Sequence, residues 1–444
     1  MGSGTISALA SARAGRAGAY LVIAVLALLT AGLWGYLIAH VVDYWDGTSS
    51  ELREDFVAFY SAGRLVRDGL GDTIYQPEVV AQVEEALLGR PAGRHGGLAF
   101  MNPPFVAGLF QPFTVLSYGT AQAVWFGVSA LVVAASLALL WPDLRKLRRR
   151  WALAFALASL ASFPVFSSLV YGQLSSLVLL SWVVSYRLSR QGREVPAGLA
   201  LAASLIKPQL AIVPALYLLA TGRWRALGGF AAGAAALVGL SVALTGADVV
   251  FVGYPAFLIE SLQWQEEFGV NRIDMFGWRS FLIRTLPASG EAVRLALTVA
   301  LSIATLAAAL VVWRRRRGRD ELWAPILALA ASTILVSPHV HTHDLQILML
   351  PAALLAAQRR DGVAVAAAGL LLFAIPLGMF GVNLATPALA AGLAIVAAMA
   401  LRPSATAPTS DRRPGTASGQ LPWPGRAAPV AAAASSRGLT PPVY

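Results

Sequence analysis

The chain has 444 residues, 57% of them hydrophobic and 13% charged, with a formal net charge of +11 and a mean hydropathy of +0.65. So low a charge content excludes an ordinary soluble domain, where about a quarter of residues are charged, and the absence of cysteine excludes a disulfide framework and a thiolate metal site. The basic surplus is no nucleic-acid footprint either: it is divided into short clusters at 143–150, 223–225, 313–319 and 358–360 that separate apolar stretches, the positive-inside pattern of a multi-pass membrane protein.

Residues 1–17 read as a cytoplasmic N-terminus. The apolar run from Tyr20 to Val42 is too long for a signal-peptide core and has no small-residue cleavage site behind it, so an uncleaved first span is predicted. At about 20 apolar residues per crossing, spans are expected near 18–42, 118–141, 151–170, 173–190, 196–206, 208–222, 226–245, 289–313, 322–338, 344–358, 362–381 and 386–401. A bilayer leaves open strands unpaired, and these runs lack the alternation of barrel strands, so the fold class is an all-α polytopic bundle of about twelve helices. Segment 196–222 lies between two basic clusters that both belong inside. It is too short for two ordinary spans, so a helical hairpin broken at Lys207-Pro208-Gln209 is predicted. Residues 402–444, rich in Pro, Ala, Ser and Gly, are expected to form a disordered cytoplasmic tail behind the membrane domain of 18–401.

This topology leaves 43–117, 167–173, 246–288 and 337–344 outside. In the first loop, Phe56, Phe59, Tyr60, Gly63 and Val66 follow helical spacing with Arg64, Arg67 and Asp68 opposite, so an amphipathic helix along the membrane surface is expected. Asp55 opens it. Two readings stand side by side: a carboxylate that meets a lipid-borne substrate at the interface, or an N-cap for its own helix.

The corner "SPHVHTHD" holds His339, His341, His343 and Asp344, three of the five histidines of the chain. Closely spaced imidazoles are potential zinc ligands, yet Pro338 favours a bend that separates them. A histidine orienting a substrate or a phosphate is the preferred reading, with a solvated loop as the alternative. A cationic group completes the inventory: Arg272, Arg279 and Arg284 interleaved with aromatics, and Lys207 inside an apolar hairpin with no acid nearby in sequence. The arginines suit a phosphate at an interface or, individually, snorkelling helix ends. Lys207 requires an anionic partner from elsewhere, for which a lipid phosphate is a natural choice. No phosphate-binding glycine loop, dinucleotide fingerprint or Asp-x-Asp pair lies outside the membrane, which disfavours ATP-driven transport and a metal-bound nucleotide-sugar donor.

The ordered stretches "DFVAFYSAGRLVRDGLGDTIYQPE", "NPPFVAGLFQPFTVLSYGTAQAVW", "YGQLSSLVLL", "SLIKPQLAIVPAL" and "SPHVHTHDLQILMLP" resemble glycosyltransferase family 87 over roughly residues 50–360. The resemblance implies a C-type glycosyltransferase bundle in the plasma membrane, with a cavity facing the periplasm or exterior and juxtamembrane helices after the first span. The implied reaction moves one hexose, mannose foremost, from a polyprenyl-phosphate sugar to a glycolipid or glycan hydroxyl, without metal or other cofactor. Asp55 matches the general base of such enzymes. His343 fits the Ser-Pro-to-His spacing of mannosyltransferase members, while His339 and Asp344 fit other members; His341 stands where some carry tryptophan. Lys207, Arg279, Arg284 and Arg272 would bind the donor phosphate. Tyr60, Asn102, Tyr171, Gln173, Gln209, Asn271 and His341 would line the substrate cavity. Two rival readings are a secondary transporter or lipid flippase, which predicts ionisable groups inside several spans, and a polysaccharide ligase, which shares the Arg and His inventory.

Overall fold

The computed structural model describes residues 3–45, 54–89, 97–264, 275–317, 321–359, 367–369, 371–372 and 385–401. Among these the regular structure is entirely helical: α1 (Ser3–Trp45), α2 (Glu54–Arg67), α3 (Pro77–Leu88), α4 (Pro104–Phe110), α5 (Tyr118–Leu144), α6 (Arg149–Leu160), α7 (Phe163–Tyr171), α8 (Ser175–Arg190), α9 (Glu194–Ala202), α10 (Ile212–Ala220), α11 (Trp224–Thr245), α12 (Tyr254–Ser261), α13 (Trp278–Thr285), α14 (Glu291–Arg315), α15 (Trp323–Val336), α16 (Met349–Arg359) and α17 (Ala385–Leu401). Five segments are long and apolar enough to cross a membrane, Tyr20–Ala39, Tyr118–Leu144, Arg149–Tyr171, Trp224–Thr245 and Glu291–Arg315. Six further apolar helices are shorter, so the described residues give five such spans where twelve are expected from hydropathy. The expected span at 362–381 and the tail at 402–444 lie largely or wholly outside the described residues.

Burial separates the lipid-facing helices from the centre. Tyr20, Leu21 and Leu28 on α1, and Val293, Leu295 and Ile303 on α14, are exposed apolar residues, which a hydrocarbon solvent accommodates. In α15 every residue from Trp323 to Leu335 is buried, as suits a helix apolar all round. The basic clusters gather at one end. There Asp143, buried near the C-terminus of α5, accepts from Lys146, Tyr186 and Arg187, and Arg223 pairs with Glu194 at 2.7 Å.

The hairpin expected at 196–222 turns at Lys207. Residues 194–206 run as α9 and a 3₁₀ turn, Lys207 adopts φ −131° and ψ 86°, and 208–220 return as a second 3₁₀ turn and α10. Pro208, lacking a backbone donor, marks the break. Backbone proximity to α11 holds the hairpin in place. A Cβ on Gly198 would come within 1.8 Å of the Ala226 carbonyl, one on Gly229 within 2.2 Å of the Val195 carbonyl, and one on Gly233 within 2.6 Å of the Ala202 Cβ. Gly229 and Gly233 are four residues apart on one face of α11, the small-residue spacing that lets membrane helices approach closely.

The first loop differs from the surface-lying helix expected at 54–67. Phe56, Val57, Ala58, Phe59, Tyr60 and Ala62 are all buried, because α4 and the 3₁₀ turn Gln111–Val115 cover the side a membrane surface would leave to water. Phe56 packs against Phe110 and Tyr118, and Gly63 sits so close to Phe110 that a Cβ would come within 2.8 Å of its backbone. Asp55 and Arg64 are half-buried and Arg67 is exposed, as is Asp68 just beyond the helix. In α3, Glu84 is fully buried: Oε2 accepts the Leu98 amide at 2.9 Å, while Oε1 has no partner among the described residues. Burial pushes this carboxyl up to about 8.

Two predictions follow from this packing. Gly198→Leu or Gly229→Leu should abolish correctly folded, detergent-extractable protein, whereas Gly228→Leu, with nothing within 4 Å of its Cβ position, should leave yield and Tm unchanged in size-exclusion and thermal-shift measurements. For Glu84, a folded-state pKa raised above the unfolded value means stability present below about pH 4.5 and lost as pH rises toward about 8. Tm measured against pH should therefore decline across that window, and Glu84→Gln should flatten the decline; identical profiles for the two proteins would contradict the buried neutral acid.

Candidate functional site

Four stretches distant in sequence meet at the end of the bundle opposite the basic clusters: the start of α2, the turn 171–176, the tip of the hairpin and the corner 337–346. Helix α7 ends at Tyr171, and Gly172 turns the chain with φ +68°. A side chain at Gly172 would strike Phe56, since its Cβ would lie 2.8 Å from that of Phe56, and the Gly172 carbonyl accepts from Trp125 Nε1 at 2.7 Å. This turn places Gln173 beside α2, where Gln173 Nε2 donates to Asp55 Oδ2 at 2.7 Å. Asp55 is the second residue of α2, so it occupies the first helical turn rather than the N-cap position, and the helix dipole favours its negative charge there.

Two residues after Gln173, α8 begins and turns its first serines to the corner. Ser175 Oγ donates to Asp344 Oδ1 at 2.7 Å, and Ser176 Oγ donates to Gln346 Oε1 at 3.1 Å. Asp344 is wholly buried. Its Oδ1 also accepts Lys207 Nζ at 2.6 Å, and its Oδ2 accepts the His341 amide at 3.0 Å. Lys207 thus finds its acid 137 residues further on. Although burial alone would raise the Asp344 carboxyl, the Lys207 ammonium and the donors on its oxygens hold it below the usual carboxylate range.

The histidines differ in setting. His343 is buried, its Nε2 3.8 Å from Asp344 Oδ1, and His339 is half-buried beside His341, with ring centroids 4.9 Å apart. Burial lowers His339 to about 3 and His343 well below its ordinary value, with Lys207 adding to both. Both imidazoles are therefore neutral at physiological pH, offering one donor and one acceptor each instead of a cationic charge. Among the described residues no group of three or more His, Asp or Glu is arranged to hold a metal.

The remaining candidates divide by position. Asn102 is buried, donating through Nδ2 to the Ile206 carbonyl at 2.7 Å, and so braces the hairpin one residue before Lys207. Tyr60 is buried in the α2 core, with its hydroxyl on the Leu116 carbonyl at 2.8 Å. Tyr171 is exposed at the end of α7, and Gln209 and His341 are half-buried at the hairpin tip and the corner. Arg279 lies in the first turn of α13, and the segment just before that helix docks on the corner through Phe276 N to Val340 O at 2.8 Å. Arg279 contributes to the lowering of His339. Arg284 is in the last turn of the same helix. Arg272 and Asn271 lie outside the described residues. Ser175, Ser176 and Gln346 escaped the sequence reading, since a serine at the head of an apolar helix carries no signal until its partner is known. Gly277 escaped it too: φ is +97° there, and a Cβ would come within 2.8 Å of the Ile334 carbonyl.

A family model described as glycosyltransferase family 87 matches residues 100–338. No curated protein and no solved structure matches the chain.

The buried pair sets a direct test. Lys207→Met strands the Asp344 charge and should cost about 3–5 kcal/mol, whereas a combined Lys207→Met and Asp344→Leu substitution should recover most of that stability. Thermal unfolding in detergent reads both. A double variant no more stable than the single one would contradict the pairing.

Proposed function

The chain belongs to glycosyltransferase family 87, and from that membership we propose that it moves a single hexose, mannose foremost, from a polyprenyl-phosphate sugar to a hydroxyl of an envelope glycolipid or glycan at the outer face of the plasma membrane. The observation that carries the reading is the chain of side chains running from Asp55 through the 171–176 turn to Asp344 and Lys207.

The chemistry asks for little beyond these groups. A sugar on a lipid phosphate is already activated, because the phosphate leaves as a stable anion, so the reaction needs no metal or other cofactor. The acceptor hydroxyl attacks the anomeric carbon while Asp55 takes its proton; the new carbon–oxygen bond forms as the bond to the phosphate oxygen breaks, and attack from the opposite face inverts the carbon. Gln173, donating to Oδ2, orients the Asp55 carboxylate toward that proton. Lys207 and Arg279 offset the charge developing on the leaving phosphate. Asp344 holds the ammonium in place, so the phosphate meets a cation that needs no rearrangement. Neutral His339 and His343 serve as hydrogen-bonding groups for sugar hydroxyls.

Removing a positioned base lowers turnover by about 10²- to 10⁴-fold. Asp55→Asn should therefore insert and fold with a near-native Tm yet transfer mannose from polyprenyl-phosphate mannose at least about 10²-fold more slowly in proteoliposomes. Near-normal turnover by this variant would remove Asp55 from the base role.

A further inference from the structure

The basic end of the bundle encloses a cavity of about 450 Å³ between α8, α9, α10, α14 and α15, lined by none of the groups given a part in the proposed reaction. Its inner wall is apolar, with Trp182, Leu201, Leu329 and Leu350. Its rim carries four guanidinium groups, from Arg190, Arg223, Arg316 and Arg317, against one lining carboxylate, Glu194. Glu194 is already engaged by Arg223. Arg316 is the least accessible of the others, its side chain 11% exposed; among the described residues it is within ion-pair distance of one acid, Glu321, 4.0 Å away and mostly in solvent. Its Nε is buried with no hydrogen-bond partner among the described residues. Arg190 and Arg317 have no carboxylate within ion-pair distance among the described residues. The Arg317 guanidinium lies over Gly222, where φ is +64° and a Cβ would come within 3.1 Å of Nη2.

A buried guanidinium donor without an acceptor, as at Arg316 Nε, is costly, and with the exposed guanidinium groups of Arg190 and Arg317 on the same cavity it calls for an anion able to accept from more than one of them, as a phosphate does. The apolar wall behind the rim selects the source. At the end of a membrane bundle, a cationic mouth backed by leucine and tryptophan matches the boundary between a lipid headgroup and its acyl chains. We infer that this cavity is a second binding site, taking the phosphate headgroup of an anionic membrane lipid. Helix α8 separates it from the Asp344 centre: Ser175 is at one end of the 16-residue helix and Arg190 at the other, about 22 Å apart at 1.5 Å per residue. The site therefore stands whether or not the transferase reading holds.

Native mass spectrometry of the full chain in detergent, titrated with phosphatidylglycerol or with phosphatidylcholine of the same acyl chains, tests the inference. The wild-type protein should retain phosphatidylglycerol at least about 10-fold more strongly, and the combined Arg316→Gln and Arg317→Gln substitutions should remove that preference at an unchanged lipid-free Tm. Should the double variant fail to fold, Arg317→Gln alone, at an exposed position, should still weaken retention severalfold. Equal retention of the two lipids, or a preference indifferent to these substitutions, overturns the site. Binding of inorganic phosphate with no preference between the lipids overturns the lipid assignment in favour of a soluble anion.

Discussion

Lys207 and Asp344 meet at 2.6 Å with side chains 7% and 0% exposed, and the architecture around them is arranged to keep both charges satisfied. An ammonium or a carboxylate alone at that depth would cost several kcal/mol. The helical hairpin brings in the ammonium by breaking at Pro208. The corner brings in the carboxylate, and the serine at the head of α8 and the His341 amide occupy its other acceptor positions. Because one oxygen of Asp344 serves both Ser175 and Lys207, the turn at Gly172, the start of α8 and the hairpin tip are fixed relative to one another. Asp55 is then held through Gln173, two residues before Ser175.

Precision at this centre rests on places where the chain has no side chain. Gly172 yields to Phe56, Gly277 lets the segment before α13 lie on the carbonyls of α15, and Gly198, Gly229 and Gly233 bring the hairpin onto α11. Contacts between backbones have no rotamers to adjust, so they set positions more tightly than interdigitated leucines do. The polar groups of the site are carried on elements fixed in this way, which suits a reaction whose rate depends on placing a proton acceptor and a phosphate-binding cation at set positions.

How much of this was legible in the sequence depends on the range of the interaction. The helical class, the basic end and the hairpin break at Lys207 are local in origin, written in runs of apolar residues, Arg clusters and Pro208. The motifs also marked Asp55, Gln173, Lys207 and Asp344, but their connections span 118 and 137 residues, and no local pattern encodes which acid meets which base. The enclosure of α2 was hidden for a related reason. Its spacing of Phe56, Phe59 and Tyr60 matches a helix on a membrane surface, and only the return of 104–115 over its other side changes that. Hydropathy marks apolar runs without fixing helix length: the runs expected at 322–338 and 386–401 fold as the shorter apolar helices α15 and α17, beside the five long spans among the described residues.

The hairpin has one more consequence, at its tip. Its two limbs, Glu194–Ile206 and Pro208–Ala220, each rise about 20 Å, while the hydrocarbon core of a bilayer is about 30 Å thick. A limb that short cannot tilt to fill the difference, because tilting shortens its reach further. Protein makes up the difference there: Asn102, from the segment before α4, donates to the Ile206 carbonyl and covers the end of the first limb. Lys207 is thereby enclosed by the chain itself, so the ammonium lies under a roof of protein and not of lipid.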